Sequence, residues 1–279
     1  MILGAHVSIA GGIANAPANA AACTCDTFQI FSKNQLQWQA PALTRQEIGS
    51  FRTAMRESHM TPGTVHASYL VNLAARDEDL LRKSRACMVA DLRRTELLGI
   101  PYLVVHPGAH RGQGMERGLE LVAESLDDIF RHSTARRTMV LLETTSGAGS
   151  VLGSTFEQLA AIRSMTRFAR RVGICVDTCH LFAAGYDIRT GRGLHETLAQ
   201  LDEILGLAWV RAVHLNDSKG DLGSHIDRHA EIGQGALGME VFKHLVNDAR
   251  FASVPGILET PGGEEAFVHN LALLRSLRR

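Results

Sequence analysis

The sequence predicts a (β/α)₈ barrel, and three observations carry that expectation. Six short apolar runs, TVH, YLVVH, MVLLE, GICVD, VRAVH and GILE, end at His66, His106, Glu143, Asp177, His214 and Glu259, with intervals of 40, 37, 34, 37 and 45 residues. One parallel strand plus its crossover helix takes about that much chain, ~30 residues or more. Helical segments fill the gaps from one end of the chain to the other, and strand then helix, repeated about eight times, favours a closed barrel over an open doubly wound sheet. No GxGxxG or GxxxxGKS/T motif occurs, which removes the main nucleotide-binding alternatives.

The expected strands, in order, lie near Ile2–Val7, Thr27–Phe31, Gly63–Ala67, Tyr102–His106, Met139–Glu143, Gly173–Asp177, Val210–Leu215 and Pro255–Glu259. Most are aliphatic throughout rather than alternating, as parallel strands covered on both faces should be. Thr44 opens a T-x-x-E capping box with Glu47, starting a helix that runs to about His59. An amphipathic stretch from Asp79 to Leu98 closes at Gly99, a C-terminal cap. Met115–His132 follows, then a second capping box from Ser154 to Glu157. Leu194–Leu205, Leu237–Ala249 and Glu264–Leu277 complete the set.

The chain has 279 residues, near the ~250 typical of one barrel. No linker or low-complexity tract interrupts the pattern, so residues 1–279 are read as one domain. Lys plus Arg balance Asp plus Glu at 29 each. Zero formal charge gives no global sign of nucleic-acid binding, yet does not exclude a locally positive face. Five cysteines, Cys23, Cys25, Cys87, Cys175 and Cys179, form no framework and read as reduced thiols. No apolar stretch is long enough to cross a membrane, and MILGAHVSIAGG lacks a signal-peptide pattern. A cytoplasmic protein, simplest as a monomer, is expected.

All eight strand ends of such a barrel converge on one face, where the chemistry is built. His66, His106 and Glu143 could hold one metal, and Asp177, His214 and Glu259 a second, with Glu143 able to bridge. Imidazole plus carboxylate without thiolate suits Zn²⁺ or Mn²⁺. The D-T-C-H run places His180 on the loop three residues past Asp177, and the D-R-H run places Asp227 and His229 on one side of an extended segment; these three could hold a third metal. Any one of these residues alone is a weak signal. Their agreement is what counts, and three metals suit phosphodiester hydrolysis. Two ions ~3.5–4 Å apart activate and clamp water, and further positive charge stabilises the leaving oxygen. A metal-dependent sugar isomerase or epimerase is the alternative on the same barrel. It has no use for the set His180, Asp227 and His229.

The segments GAHVSIAGG, KNQLQW, HASYLVNLA, VVHPGAH, LLETTSGAGSVLG, GICVDTCHLFAAGYDIRT, VHLNDSKGDLGSHIDRHAEIGQGALG and GILETPGG span the chain. They resemble endonuclease IV, the TIM-barrel apurinic/apyrimidinic endonuclease family. The resemblance implies three zincs. The first would take His66, His106 and Glu143; the second Glu143, Asp177, His214 and Glu259; the third His180, Asp227 and His229. It implies cleavage of double-stranded DNA 5′ to an abasic site, leaving a 3′-hydroxyl and a 5′-deoxyribose phosphate, and trimming of blocked 3′ ends. Glu143 or Glu259 would orient the attacking hydroxide. Tyr69 and Leu70 match positions inserted into the gap left by a flipped abasic nucleotide. In the N-Q-L-Q-W segment the family pattern has an arginine where this chain has Leu36. Leucine can wedge between bases but cannot hydrogen-bond to them. Asn34 and Gln37 are candidates for backbone contact and Arg228 for a phosphate. His6 is placed beside the donors, supporting them rather than ligating.

Overall fold

The computed structural model describes residues 1–279. Eight parallel strands close on themselves in the order β1 (Ile2–His6), β10 (Pro255–Leu258), β7 (Val210–His214), β6 (Val172–Asp177), β5 (Met139–Glu143), β4 (Tyr102–Val105), β3 (Thr64–His66) and β2 (Thr27–Phe31). Closure joins the chain's two ends, pairing Ile2 with Pro255 and Ala5 with Leu258. Each expected strand is present to within a residue at either end. A short antiparallel pair, β8 (Asp217–Ser218) and β9 (His229–Ala230), lies outside the barrel sheet.

Nine α-helices surround the strands: α1 (Ala16–Ala22), α2 (Arg45–Ser58), α3 (Glu78–Leu98), α4 (Met115–His132), α5 (Phe156–Met165), α6 (Thr178–Ala184), α7 (Gly191–Ile204), α8 (Glu240–Asn247) and α9 (Gly263–Ser276). The Thr44–Glu47 capping box forms in both directions. Gly99 ends α3 with φ 80°, a left-handed conformation that glycine adopts without a Cβ penalty. The expected box at Ser154 is corrected by one residue, because Thr155 is the cap and its hydroxyl accepts from the Gln158 amide. Helix α7 starts earlier than Leu194, because Thr190 caps it through the Gly193 amide. Helix α8 is shorter than expected, starting at Glu240 because Leu237 is still in the preceding loop, where its amide donates to Asp217. Helices α1 and α6 escape sequence reading because each has only seven residues, too few to show a clear 3.6-residue repeat.

Alternation along the strands divides the core in two. Leu103, Val105, Val140, Leu142, Ile174, Val176 and Val213 face outward into the layer shared with the helices. Val104, Leu141, Cys175 and Ala212 face the lumen as a separate apolar plug. The outer layer includes Phe28, Phe51, Phe130, Phe156 and Phe182, all fully buried. Burial of each such side chain contributes roughly 1.5–3 kcal/mol. That layer holds the frame, so the upper lumen can be polar. Two residues beyond each plug residue, on the same side of its strand, come His106, Glu143, Asp177 and His214.

Candidate metal centre

The nine predicted donors meet at the C-terminal mouth of the barrel in three sets. His66, His106 and Glu143 form one set, Glu143, Asp177, His214 and Glu259 a second, and His180, Asp227 and His229 a third; within each, one donor atom per residue lies within 4.8 Å of the others. Glu143 divides its carboxylate between two sets. Its Oε2 is 3.1 Å from His66 Nε2 and 3.2 Å from His106 Nε2, while its Oε1 is 3.0 Å from His214 Nδ1. His214 Nδ1 is also 3.2 Å from Glu259 Oε2. Asp227 Oδ1 is 3.0 Å from His180 Nε2 and 3.6 Å from His229 Nε2.

One placement differs from expectation. His180 stands in the first turn of α6, not on a loop. The reason is local: Asp177 Oδ1 accepts the His180 amide hydrogen at 2.8 Å and so caps the helix. Its other oxygen, Oδ2, accepts from Asn216 Nδ2 at 2.7 Å.

The hydrogen-bond network sets the imidazole tautomers. His66 Nδ1 donates to the Ala67 carbonyl at 2.8 Å, His180 Nδ1 to Thr144 at 2.8 Å, and His229 Nδ1 to Glu259 at 3.2 Å. A carbonyl only accepts, so in the neutral ring the other nitrogen carries a lone pair. His214 is oriented by Gln29. The Gln29 amide donates to Glu259 Oε1 at 2.5 Å, which turns its own oxygen toward His214 Nε2 at 3.0 Å and Thr64 Oγ1 at 2.7 Å. His214 Nδ1 is then the free nitrogen. In the neutral rings four imidazole lone pairs thus face carboxylate oxygens. His180 Nε2 and His229 Nε2 are buried without a hydrogen-bond partner. This donor set fits a divalent cation such as zinc or manganese.

Burial disfavours charge on the His214 and His180 rings. Even so, neighbouring Cys175, Glu259 and Glu143 hold His214 well above the ordinary imidazole value, and Asp177, Asp227 and Glu143 do the same for His180. Burial alone would raise Glu143, but the His214 and His106 imidazoles hold it well below the usual carboxylate range. Cys179 Sγ also lies near Asp177 and His229. Burial, with the Asp177 charge, pushes that thiol up to about 12, and its Sγ contacts the Arg228 carbonyl at 3.7 Å.

His6 joins none of the three sets. Its Nδ1 is 3.3 Å from Glu259 Oε1 and 3.0 Å from Gln29 Nε2, beside the donors. Leu36 and Tyr69 are 69% and 61% exposed around the mouth, with Leu70 half-buried. Asn34, Gln37 and Arg228 are exposed, although Asn34 Oδ1 is occupied by the Leu36 amide at 2.9 Å. A cavity of about 220 Å³ opens beside His66, His106, Tyr69 and Asn72.

Gln29, Asn216 and Asp217 are the residues that sequence reading missed. Asp217 accepts from the amides of Ser218, Gly233, Gly235 and Leu237, holding the loop beyond His229. Gly235 is required there, since a Cβ would sit 2.4 Å from Asp217 Oδ1. The available signal was a polar residue inside an apolar strand, the glutamine of T-F-Q-I-F.

Fold and donors together define a class: a (β/α)₈ barrel with a convergent imidazole–carboxylate centre at its strand ends. The family model described as "Xylose isomerase-like TIM barrel" matches residues 17–277. The chain is 50% identical over 276 residues to a probable endonuclease 4 of Chloroflexus aurantiacus, covering 98% of this chain and 97% of that protein. The crystal structure of endonuclease IV from Thermus thermophilus matches with a TM-score of 0.90 and 40% identity, over 99% of this chain and 98% of that one. A D-tagatose 3-epimerase-like structure, TM-score 0.77 over 99% and 97% of the two chains, is only 20% identical and shares the fold alone. The chain belongs to the endonuclease IV family.

Proposed function

We propose that this protein is a zinc-dependent DNA-repair endonuclease. It hydrolyses the phosphodiester 5′ to an abasic site in double-stranded DNA, leaves a 3′-hydroxyl and a 5′-deoxyribose phosphate, and trims blocked 3′ ends. It acts as a cytoplasmic monomer. The observation that carries this reading is the sharing of one buried carboxylate, Glu143, between two donor sets, with a third set adjoining.

His66, His106 and Glu143 would hold one zinc, Glu143, Asp177, His214 and Glu259 a second, and His180, Asp227 and His229 a third. Bound zincs supply Lewis acidity, a water acidic enough to react at neutral pH, and positive charge for the departing oxygen. The chain's own groups do the rest. Glu143 or Glu259 orients the attacking water. Gln29 and His6 hold Glu259 in place from behind. Arg228 makes no ion pair with a carboxylate and stands between two donors, free to meet a phosphate. Tyr69, Leu70 and Leu36 present apolar surface to fill the gap left by a flipped nucleotide. Asn34 and Gln37 flank Leu36 and reach the backbone of the duplex.

Incision of a duplex carrying one synthetic abasic site tests the reading, alongside metal analysis. Three zincs per chain and a cut 5′ to the lesion are expected. Glu259→Gln should reduce turnover at least about 100-fold, by weakening one donor set, and leave the fold intact. One or two metals, no incision and turnover of a sugar would establish the isomerase alternative instead.

A further inference from the structure

We propose that helix α3 is a platform that pre-forms the surface meeting DNA, with Asp91 and Arg94 as positioning residues for duplex binding. This rests on the DNA reading above. The segment after β2 carries Asn34, Leu36 and Gln37, and the segment after β3 carries Tyr69 and Leu70. Neither has regular structure of its own from residue to residue, so something else must fix them.

One face of α3 does so. Ser84, Cys87, Asp91 and Arg94 follow each other at spacings of three and four, a single helical stripe. Asp91 grips the root of the first segment. Its Oδ1 accepts from Ser32 Oγ at 2.8 Å, and Lys33 Nζ donates to both carboxylate oxygens at 2.5 Å. The pair is buried, with Lys33 6% and Asp91 1% exposed. The lysine of the K-N-Q-L-Q-W motif is therefore an internal anchor with its charge already matched, not a cation offered to phosphate.

Arg94 then closes the segment. Its Nε and Nη2 donate to the Ser32 carbonyl at 3.0 and 2.6 Å, and its Nη1 to the Pro41 carbonyl at 2.8 Å. One planar fork joins the two ends of the turn that displays Leu36. A cross-brace completes the arrangement. Ser68 Oγ donates to the Gln35 carbonyl at 2.5 Å and accepts from the Leu70 amide at 3.2 Å. The second segment returns to the same helix, where the Asn72 amide donates to Ser84 Oγ at 3.0 Å. Leu36 and Tyr69 are thus exposed apolar side chains on backbone that is already ordered. Ordering a loop at the moment of binding weakens affinity, and prior closure removes that cost. The side chains of Asp91 and Arg94 hydrogen-bond to Ser32, Lys33 and Pro41 and to none of the metal donors.

The test compares zinc-loaded wild type with Arg94→Ala, Arg94→Lys and Ser68→Ala, reading steady-state incision of an abasic duplex beside hydrolysis of bis(p-nitrophenyl) phosphate. That small diester needs the centre but not the loops. KM for the duplex should rise roughly tenfold in Arg94→Ala, with kcat within about twofold of wild type, as expected when pre-organisation rather than chemistry is lost. Small-diester hydrolysis should not change. Arg94→Lys should fall between, since an ammonium reaches one end of the turn but lacks the fork. Ser68→Ala should raise KM without touching α3. An unchanged KM in Arg94→Ala and Ser68→Ala overturns the proposal. So does an equal fall in duplex and small-diester turnover, which would mark general damage. Failure of the wild type itself to incise the duplex would defeat the DNA reading, a separate outcome.

Discussion

Gln29 Oε1 lies 3.0 Å from His214 Nε2, and this contact, made by a fully buried amide, decides which ring nitrogen of His214 faces Glu143 and Glu259. A neutral side chain outside every donor set thereby controls the geometry of the centre.

Gln29→Met should therefore weaken zinc binding by about 10–100-fold, the usual effect of removing a group that orients a metal-binding histidine. The substitution also leaves the His214 ring N–H and the Thr64 hydroxyl without an acceptor. Competition titration against a zinc chelator reads the change, and wild-type affinity would show that the amide has no orienting role.

Zinc should stabilise the fold more at high pH than at low. In the metal-free protein His66, His180 and His214 have raised values. Their ion-pair contribution is fully present below the ordinary 6.5 and is lost as pH rises through the folded values. Glu143 and Glu259 have lowered values, so their contribution is present above the ordinary 4.5 and is lost as pH falls through the folded values. Metal must displace the imidazole protons, hence its affinity grows as pH rises. The zinc-induced rise in Tm should be larger near pH 8 than near pH 6, because stabilisation follows affinity at fixed metal. Equal shifts at both would mean that the rings are not protonated without metal.

Lys33→Met should destabilise the protein by roughly 3–5 kcal/mol, since it strands the Asp91 carboxylate in the interior. Changing both partners, Lys33→Met with Asp91→Leu, should recover much of that loss. Urea unfolding of the single and double variants measures it, and additive losses would show that the pair is not coupled.

Leu36→Arg should tighten binding to an abasic duplex by ~1–2 kcal/mol through new phosphate or base contacts. The side chain is 69% exposed at the mouth, so a longer one fits without repacking. Fluorescence anisotropy across salt concentrations checks this, and identical affinities would place the turn away from DNA.

The barrel and the metal-type side chains at its strand ends were legible in the sequence because both follow from short-range rules. A parallel strand buried on both faces reads as an apolar run, and a polar residue at its end stands out. Period two then places Glu143 above Leu141 and His214 above Ala212 on the lumen side. Helix limits were less legible at Ser154 and Leu194, where capping by Thr155 and Thr190 moved the start. The position of His180 on a helix was hidden because D-x-x-H carries no mark of a cap until Asp177 folds back onto its amide.

What the chain decided by itself was the list of strands and the metal-type side chains at their ends, since periodicity and residue chemistry act over a few residues. Only the closed tertiary structure decided which of those side chains meet. Closure brings β1 beside β10, so that His6 reaches Glu259 across 253 residues of sequence. It also sets Gln29 against His214 and lays α3 under both outer segments. Those contacts depend on distances across the barrel, and no local pattern encodes them.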